Sequence, residues 1–543
     1  MTFLNGGELV ARTLAAQGVT TIYTLCGGHV APIYDGCLNN AIAIIDFRHE
    51  QAAAHAADAH ARLTRSVGVA VVTAGPGVTD AVTAVANAYQ ARSPLLLIGG
   101  AAPIATRGKG ALQEMPQTDM FRAFTKASFT IERTEDIPAK LHEAFVAALS
   151  SRPGPVFVEL PVDVLFNTTE PSTIPARYTP DPVAPTLDVV QAMFDILRSA
   201  KRPVLVAGTQ VTWDDASAAL HDFTNATAIP VYTNGGGRGA LPMNHPHCFK
   251  ASRSKALRQA DVIVLIGTPL DFRLKYGEDW RADAKLIQID DDPAELGRNR
   301  RADVASSANA RLILEALSEG LQGLRFDDWL EQVRILEQAY RDDLARWKAI
   351  DDQPINHFRF AAGIEEVVDD NTILIGDGGD IVSACAKVLD VNVPGAWMDP
   401  GPLGCLGVGL PFAIAAKHLY PHKKVLVING DGAFGLNGFE FDTAVRFNLP
   451  IVSIVGNDAG WGQIRTPVQA MMGEDRAPAT HLALTHYERV VEALGGMGEY
   501  VTDPAEIAPA LRRAFASGRP ACVNVVIDPK GMSKTGASTP YIF

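Results

Sequence analysis

The stretch that decides the fold runs from Ile414 to Trp461 and reads IAAKHLYPHKKVLVINGDGAFGLNGFEFDTAVRFNLPIVSIVGNDAGW. Two apolar runs in it, Val425–Ile428 and Pro450–Val455, predict short buried strands. Between them, about 436–447, apolar residues recur at helical spacing, at Leu436, Phe439 and Val445. A strand, a helix and a strand of this length predict a right-handed crossover that joins two parallel strands.

Each predicted strand ends in a glycine-containing turn with an aspartate, Asp431 in the first and Asp458 in the second. The carboxyl ends of parallel strands share one sheet edge, so these side chains, 27 positions apart, can lie together. Two carboxylates beside a helix start repel unless a cation lies between them, and oxygen ligands favour Mg²⁺ or Ca²⁺. Turn amides favour a phosphate. The chemistry predicts a metal-bridged diphosphate site, and the alternative is an ordinary strand-turn with solvated acids.

These residues resemble the thiamine diphosphate signature, through Gly430-Asp431-Gly432-Ala433 and the Asn/Asp turn that follows. In that family the first Asp, a residue of the second turn and a backbone carbonyl two residues later bind the metal. The resemblance therefore implies that Asp431, Asp458 and the carbonyl of Gly460 are the metal ligands. The family usually has Asn-Asn in the second turn, so Asn457 stays open as the alternative to its neighbour Asp458.

Size and composition bound the remaining possibilities. A chain of 543 residues with 47% hydrophobic and 20% charged residues predicts a globular protein of about three domains. A net charge of −13 without a basic stripe argues against nucleic-acid binding. The six cysteines have no metal-type spacing, which favours reduced thiols and a cytoplasmic location. We find no signal-peptide pattern and no apolar run long enough to predict a membrane span.

The rest of the chain alternates short apolar runs with helical stretches, which predicts an α/β fold of three doubly wound parallel-sheet domains. The predicted boundaries are a first block at 1–165, a Pro-rich linker at 166–190, a Rossmann-like central block at 191–350, and a third block at 351–543. The segment SPLLLIGGAA from Ser93 is similar to LPIVSIVGND from Leu449, so blocks one and three are predicted to share a fold. The end of the third block, 529–543, is predicted to be a disordered tail or a lid. The predicted strands of the three blocks are Ile22–Leu25, Ile42–Phe47, Val67–Val72, Pro94–Ile98, Pro155–Leu160, Pro203–Ala207, Ile229–Tyr232, Val262–Ile266, Lys285–Ile289, Thr372–Ile375, Val425–Ile428, Pro450–Val455 and Cys522–Ile527.

Glu50 begins an Ala-rich helical stretch directly after a predicted strand, which places it at the carboxyl edge of the first sheet. Taken alone, it is a surface residue favoured by the helix dipole. The first block resembles the pyrimidine-binding domain of thiamine enzymes, where this Glu hydrogen-bonds the aminopyrimidine ring and promotes deprotonation of the thiazolium carbon. The resemblance implies that Glu50 is catalytic.

Four further residues of the first block become candidates through the same resemblance. The segments around Cys26–His29, Thr73–Gly77 and Gly110–Glu114 look like the acetolactate synthase and 2-hydroxyacyl-CoA lyase branch of the family. The branch implies catalytic roles for His29 and Gln113, and cofactor binding by Pro76 and Asn87. A structural role is the alternative for His29.

The third block resembles the diphosphate-binding domain. A glycine carbonyl and a bulky apolar side chain under the bend of the cofactor match Gly404 and Leu406, and the second diphosphate loop matches the segment 376–380. Residues that line the acceptor pocket match Trp461 and Gln463. The cofactor-binding residues implied in this block are Gly378, Gly379, Gly404, Leu406, Asp431, Gly432, Ala433, Asp458, Trp461 and Gln463.

The central block has a G-x-G-x-x-A match at Gly235–Ala240, which is weak without an acidic partner. Relatives hold FAD or ADP in this domain and others leave it empty, so all three alternatives stay open.

The combined prediction is a thiamine diphosphate- and Mg²⁺-dependent carbon–carbon lyase or carboligase that acts on a small-molecule substrate, either a 2-hydroxyacyl-CoA or related 2-hydroxyacyl compound or a 2-keto compound. Within the class the alternative is acetolactate synthase, which would decarboxylate a 2-keto acid before ligation. A remote alternative is a dinucleotide-dependent oxidoreductase, disfavoured because no complete G-x-G-x-x-G with an acidic residue about twenty positions on is present. Enzymes similar to this chain pair as two-fold dimers, which implies a homodimer or homotetramer.

Overall fold

The computed structural model describes residues 3–170 and 173–531, so most of the predicted tail lies outside the described residues. The described chain contains three six-stranded sheets and one two-stranded sheet. Each predicted strand falls on an observed strand, within three residues at either end. The prediction of three parallel-sheet α/β domains is confirmed.

The first block is a parallel sheet of strand order β3-β2-β4-β5-β7-β6, covered by helices. Its strands, with the antiparallel pair β1 and β8, are Leu4–Asn5 (β1), Thr21–Thr24 (β2), Ala43–Asp46 (β3), Gly68–Val72 (β4), Leu95–Ala101 (β5), Ala127–Thr130 (β6), Val156–Pro161 (β7) and Thr168–Thr169 (β8). Its helices are Gly6–Ala16 (α1), Ala31–Asn39 (α2), Glu50–Thr64 (α3), Pro76–Asp80 (α4), Val82–Ala91 (α5), Gln117–Phe121 (α6), Ile137–Leu149 (α7) and Val162–Phe166 (α8).

The central block is a parallel sheet of order β11-β10-β9-β12-β13-β14. Its strands are Pro203–Ala207 (β9), Val231–Thr233 (β10), Cys248–Phe249 (β11), Val262–Ile266 (β12), Lys285–Ile289 (β13) and Val304–Ser306 (β14). Its helices are Leu187–Ser199 (α9), Thr209–Trp213 (α10), Ser217–Thr227 (α11), Arg253–Gln259 (α12), Ala310–Gly320 (α13) and Asp327–Lys348 (α14). Strand order reverses beside β9, as in dinucleotide-binding folds, and this opens a crevice at the carboxyl ends. Helix α9 begins inside the predicted linker.

The third block is a parallel sheet of order β16-β15-β17-β18-β20-β19. Its strands are Thr372–Asp377 (β15), Trp397–Met398 (β16), Lys424–Gly430 (β17), Val452–Asn457 (β18), Met497–Val501 (β19) and Ala521–Val526 (β20). Its helices are His357–Glu365 (α15), Asp380–Val388 (α16), Gly409–Leu419 (α17), Asp431–Asn437 (α18), Phe441–Arg446 (α19), Gly462–Met472 (α20), Tyr487–Ala493 (α21) and Ile507–Ala516 (α22). Counted from its own first strand, this order is the same as that of the first block, so the predicted internal repeat is confirmed.

The helix predicted at about 436–447 is wrong in both its start and its apolar face. Helix α18 begins five residues earlier, a 3₁₀ turn follows at Gly438–Glu440, and α19 completes the crossover. Leu436 and Phe439 are 53% and 69% exposed, while Phe434 and Phe441 are buried. The buried apolar residues therefore lie on two short helices joined by a 3₁₀ turn, and they do not keep the spacing of one continuous helix.

The first and third blocks pack together through α3 and α17, which are rich in alanine and other small residues. Ala53, Ala57 and Ala413 are fully buried in the core shared by the two blocks. Small side chains let the two helix backbones approach closely. Glu50 lies at the N-terminal end of α3, so this packing fixes the position of the carboxylate relative to the third block.

Candidate active site

The two acidic turns of the third block meet at one sheet edge. Strands β17 and β18 are adjacent and parallel, with Gly430 paired to Gly456, so Asp431 and Asp458 follow neighbouring strand ends. The amide of Gly460 donates to Asp431 Oδ2 at 3.0 Å, which ties the second turn to the first. The predicted crossover is observed, and it brings the residues of both turns together.

Burial controls the electrostatics of these acids. Burial raises the pKa of Asp431, against hydrogen bonds from the amides of Gly432 and Gly460. Burial, followed by the charge of Asp431, raises the pKa of Asp458 to about 7. Arg465 opposes that rise because its guanidinium Nη2 lies 2.6 Å from Asp458 Oδ2. Two buried acids at one edge are a donor set suited to a hard divalent cation.

Asn457 and Asp458 have different surroundings. The amide nitrogen of Asn457 donates to the carbonyl of Thr485 at 3.0 Å and to Asn524 Oδ1 at 3.2 Å. Asn457 is fully buried, so its side chain is committed to the interior of the block. This geometry favours Asp458 as the metal ligand.

The side chains of Trp461 and Gln463, at the start of α20, pack against two glycines at the same edge. A Cβ on Gly432 would lie 2.6 Å from the ring of Trp461, and a Cβ on Gly379 would lie 2.1 Å from Gln463 Oε1. Gly378 has a φ of +145°, a conformation that side chains rarely adopt. The structure thus brings Gly378, Gly379, Gly432, Trp461 and Gln463 together, while Ala433 is buried inside α18.

The loop that carries Gly404 and Leu406 is held by a buried carboxylate that the sequence reasoning did not single out. Asp377, at the end of β15, accepts hydrogen bonds from the amides of Gly407 at 3.0 Å and Gly409 at 2.8 Å. Burial raises the pKa of Asp377 to about 6. Gly404 has a φ of +71° and open space where a Cβ would lie. The loop therefore presents backbone to an open volume.

The first block presents its own carboxylate edge. Glu50 begins α3 and is 8% exposed, and burial raises the pKa of its carboxyl. A Cβ on Gly77 would lie 3.3 Å from Glu50 Oε1 and 2.8 Å from a methyl of Thr73. Pro76 begins α4 next to this contact. The strand end of β4 thus approaches the carboxylate through residues without bulky side chains.

His29 and Gln113 lie at the same edge. His29 Nδ1 is 3.4 Å from Thr73 Oγ1, and burial lowers the pKa of the imidazole, which favours its neutral form. Gln113 has a φ of +62°, and a Cβ on Gly75 would lie 2.8 Å from the Gln113 Cβ. The edge therefore carries both a neutral imidazole and a buried carboxyl, and both types of group can act in general acid–base catalysis.

Two other polar residues of this block are buried. Gln117, which the sequence reasoning missed, is buried, accepts from the amide of Gly75 at 2.7 Å and donates to the carbonyl of Gly100 at 3.0 Å. It lies at the start of α6 and supports the edge through Gly75 and Gly100, which are distant in sequence, so no local pattern indicates this role. Asn87 is fully buried in α5 and donates to Asp58 Oδ2 at 3.2 Å. Its Oδ1 is buried without a hydrogen-bond partner among the described residues, and cofactor binding by Asn87 stays a prediction.

The crevice of the central block has glycine turns, but the acid at its edge is already paired with an arginine. A 3₁₀ turn at Gly235–Gly237 follows β10, and Gly267 follows β12, with φ values of +53° at Gly235 and +58° at Gly267. The acid at the end of β13, Asp290, is the residue type that holds a ribose hydroxyl in dinucleotide folds. Here its Oδ1 lies 2.6 Å from Arg92 Nη1 of the first block. Only Oδ2, which is buried without a hydrogen-bond partner, is left for a ligand.

Comparison with known proteins defines the class. The N-terminal TPP binding domain of the thiamine pyrophosphate enzymes matches residues 4–120, their central domain matches 190–317, and their C-terminal TPP binding domain matches 377–525. The chain belongs to the thiamine pyrophosphate enzymes.

Individual relatives place the chain in one branch of that family. It is 40% identical to a probable acetolactate synthase of Mycobacterium bovis, over 97% of this chain and 96% of the relative. It is 38% identical to 2-hydroxyacyl-CoA lyase 2 of Homo sapiens, over 96% of this chain and 90% of the relative. The corresponding lyase of Caenorhabditis elegans is 38% identical, over 92% and 85%. The chain is thus an enzyme of the acetolactate synthase and 2-hydroxyacyl-CoA lyase branch. Separately, no helix in its described part is both long and apolar enough to cross a membrane.

Proposed function

We propose that this enzyme is a thiamine diphosphate- and Mg²⁺-dependent lyase or carboligase that cleaves or forms the carbon–carbon bond of a 2-hydroxyacyl-CoA. The observation that carries the proposal is the pair of complementary edges: a buried carboxyl, Glu50, on the first sheet, and two buried acidic turns on the third. When bound, thiamine diphosphate supplies a sink for the electron pair of the bond next to a carbonyl.

The residues of the third edge fit the diphosphate end of this cofactor. Asp431, Asp458 and the carbonyl of Gly460 would hold Mg²⁺, since all three offer hard oxygens. The glycine backbone at Gly379 and Gly432 would meet the diphosphate, because neither position has room for a side chain. The open loop at Gly404, together with Leu406, would lie under the rings, and Trp461 and Gln463 would line the acceptor pocket.

The residues of the first edge would handle protons. The raised pKa of Glu50 suits proton exchange with the pyrimidine ring near neutral pH. His29, kept neutral by burial, would take or give the proton of the substrate hydroxyl or carbonyl. Gln113 would orient the substrate beside Pro76.

A homodimer completes the site in this proposal. Among the described residues no hydrogen bond joins Glu50, His29 or Gln113 to the acidic turns. Large apolar side chains lie exposed beside both edges: Leu112 is 78% exposed, Phe439 69%, Leu436 53% and Leu403 44%. Exposed apolar side chains grouped at a functional edge are typical of a surface that another chain covers. A homotetramer would be a pair of such dimers.

The second candidate activity is that of an acetolactate synthase, favoured by the 40% identity to the mycobacterial relative.

ADP or FAD in the central crevice also stays a prediction, and the Arg92–Asp290 pair leaves less of the acid for a ribose than an open site would. Mass spectrometry of the small molecules released from denatured protein tests the cofactors directly. Thiamine diphosphate is expected, and its absence after purification with excess thiamine diphosphate and Mg²⁺ would contradict the proposal. A cytoplasmic location likewise stays a prediction.

Two assays separate the candidates. The Mg²⁺- and thiamine diphosphate-loaded enzyme is given a 2-hydroxyacyl-CoA and the aldehyde is measured, and in parallel it is given pyruvate and acetolactate is measured. The proposal predicts turnover in the first assay and at most a slow reaction in the second. Acetolactate formation without aldehyde release would assign the second candidate instead. Glu50→Gln should reduce whichever activity is found.

A further inference from the structure

The metal edge of the third block holds more negative charge than one divalent cation and its ligands require. Besides Asp431 and Asp458, a third carboxylate faces this edge: Asp380, at the start of α16. A Cβ on Gly462 would lie 2.7 Å from Asp458 Oδ2 and 3.7 Å from Asp380 Oδ2, so both acids face the start of α20. A site with three acids must also bind a diphosphate, which is itself an anion, so the surplus charge has to be offset.

Arg465 is in direct contact with this group of acids, at Asp458, while Lys387 acts on Asp380 through its charge. The backbone amide of Arg465 donates to the carbonyl of Trp461 at 2.8 Å, which places the residue in the first turn of α20. Its guanidinium donates to Asp458 Oδ2 at 2.6 Å and reaches the carbonyl of Ala459 at 3.5 Å. The Arg465 and Asp458 side chains are only 8% and 9% exposed. The contact is therefore a buried, charge-assisted one, in which removal of either partner strands the other charge.

The same guanidinium packs against the turn that offers the third metal ligand. A Cβ on Gly460 would lie 2.1 Å from Arg465 Nη1 and 2.8 Å from the carbonyl of Thr480. Arg465 thus contacts Asp458, Ala459 and Gly460 in succession. It holds the whole turn in one arrangement, with Asp458 Oδ2 turned towards α20 and Oδ1 left for a metal.

We propose that Arg465 is a positioning residue of the metal site, whose positive charge cancels that of Asp458 so that the turn offers an aspartate oxygen to the metal without adding net charge. The pair then behaves electrically as one neutral oxygen ligand. This inference rests on the proposed function, because it takes Asp431 and Asp458 as metal ligands. It adds Arg465, which is not itself a metal ligand, and it states in which direction the charge of Arg465 changes the affinity for the metal.

The direction of the change in metal affinity separates this role from a purely structural one. Arg465→Met leaves the Asp458 carboxylate uncompensated beside Asp431, so a bare divalent cation should bind more tightly, on the order of tenfold. Asp458→Asn keeps an oxygen ligand but leaves the Arg465 cation unpaired, so the same cation should bind more weakly, again on the order of tenfold. The double variant restores neutrality and should bind close to wild type. A structural role would make both single variants bind more weakly.

The test is the affinity for Mn²⁺ alone, measured without thiamine diphosphate on the full chain by the electron paramagnetic resonance signal of free Mn²⁺. The expected order, from tightest to weakest, is Arg465→Met, then wild type together with the double variant, then Asp458→Asn. Arg465→Lys keeps the charge and should stay near wild type, and it serves in place of Arg465→Met if that variant does not fold. Arg512→Met removes an arginine that is 56% exposed on α22 and should change nothing.

Three contrary results are distinguishable. If Asp431→Ala abolishes Mn²⁺ binding but Arg465→Met also weakens it, or the double variant binds more weakly than Asp458→Asn, the charge-cancelling role is wrong while the metal site stands. If Arg465→Met does not fold and Arg465→Lys binds Mn²⁺ more weakly than wild type, charge alone does not explain the contact and the inference fails. If wild type and Asp431→Ala bind Mn²⁺ equally, the metal site of the proposed function is itself wrong.

Discussion

At the scale of single residues, Asn457 and Asp458 are neighbours with opposite surroundings. The Asn457 amide is hydrogen-bonded inside the block, whereas the Asp458 carboxylate faces the acidic edge and Arg465. We expect Asp458→Ala to lose most Mg²⁺-dependent binding of thiamine diphosphate while the chain stays folded. We expect Asn457→Ala to lower the unfolding temperature and to retain that binding. Calorimetric titration with thiamine diphosphate and thermal unfolding measure the two effects, and the reverse assignment would show that the ligand is Asn457.

His29 is the second residue whose role can be separated from its packing. It lies beside Thr73 at the edge of the first sheet, with its pKa lowered by burial. His29→Ala should lower turnover on the order of 10²–10⁴-fold, because it removes a general acid–base group, while cofactor affinity stays near wild type. His245→Ala in the central block, another histidine whose pKa burial lowers, is the matched control and should leave turnover unchanged. An equal loss of cofactor binding in His29→Ala would favour the structural alternative.

Some of the candidate site could be predicted from the sequence because its residues lie at strand ends and in glycine turns. Asp431, Asp458 and Glu50 each follow a buried apolar run, so their place at a sheet edge follows from strand polarity. Arg465 and Gln117 could not be found in this way. Their roles depend on which distant turn each side chain reaches, and neither lies in a local pattern that encodes that contact.

At the scale of elements, all inner strands were predictable, whereas of the edge strands only β3 was predicted. Inner parallel strands such as β4 and β12 are buried on both faces and are continuous apolar runs. The edge strands β6, β14 and β19 were missed because they mix polar and apolar residues. Such a mixture forms a strand only through pairing with the neighbouring strand, which the local sequence does not show. The break between α18 and α19 was missed for a similar reason, since Leu436 and Phe439 point out of the chain's own core.

The 3₁₀ turn between α18 and α19 carries a pH-sensitive link to the first block. Glu440 is 1% exposed, accepts from the amide of Arg48 at 3.1 Å and from Thr443 Oγ1 at 2.6 Å, and burial raises its pKa from 4.5 to about 7. Because the pKa of the Glu440 carboxyl is higher in the folded chain than in the unfolded chain, protonation of Glu440 stabilises the fold. This stabilisation is complete below pH 4.5 and is lost as the pH rises to about 7. Its loss should cost about 1–3 kcal/mol.

Glu440→Gln copies the protonated carboxyl and should remove this pH dependence. We expect the variant to gain stability relative to wild type between pH 5 and pH 8, measured by denaturant unfolding at both values. Glu366→Gln, at an exposed position on the same block, is the control and should follow wild type. If Glu440→Gln is less stable than wild type by the same amount at both pH values, the carboxylate is charged in the folded protein throughout and the link is not pH-sensitive.

At the scale of the whole molecule, the first and third blocks are two copies of one topology with complementary chemistry. One copy carries the buried Glu50, and the other carries the acidic turns. Alternation of apolar runs predicts both blocks, because each strand is encoded locally. Which edges face each other is not encoded locally, because it depends on packing between blocks and between chains.

The exposed apolar side chains at both edges lead to the whole-molecule expectation that two chains share each site. Since Glu50 lies on the first edge and the acidic turns lie on the third, a Glu50 variant and an Asp431 variant damage different halves of one site. In a homodimer, a mixed pair of such chains would contain one intact site and one doubly damaged site.

The most direct measurement is therefore complementation. Glu50→Gln and Asp431→Ala chains, each inactive alone, are unfolded together in equal amounts, reassembled with thiamine diphosphate and Mg²⁺, and assayed, with each variant refolded alone as the control. Random pairing makes about half of the dimers mixed, and each mixed dimer has one working site of two, so the account predicts about a quarter of wild-type activity. No recovery, with mixed dimers confirmed by native mass spectrometry, would contradict a site built from the first block of one chain and the third block of another.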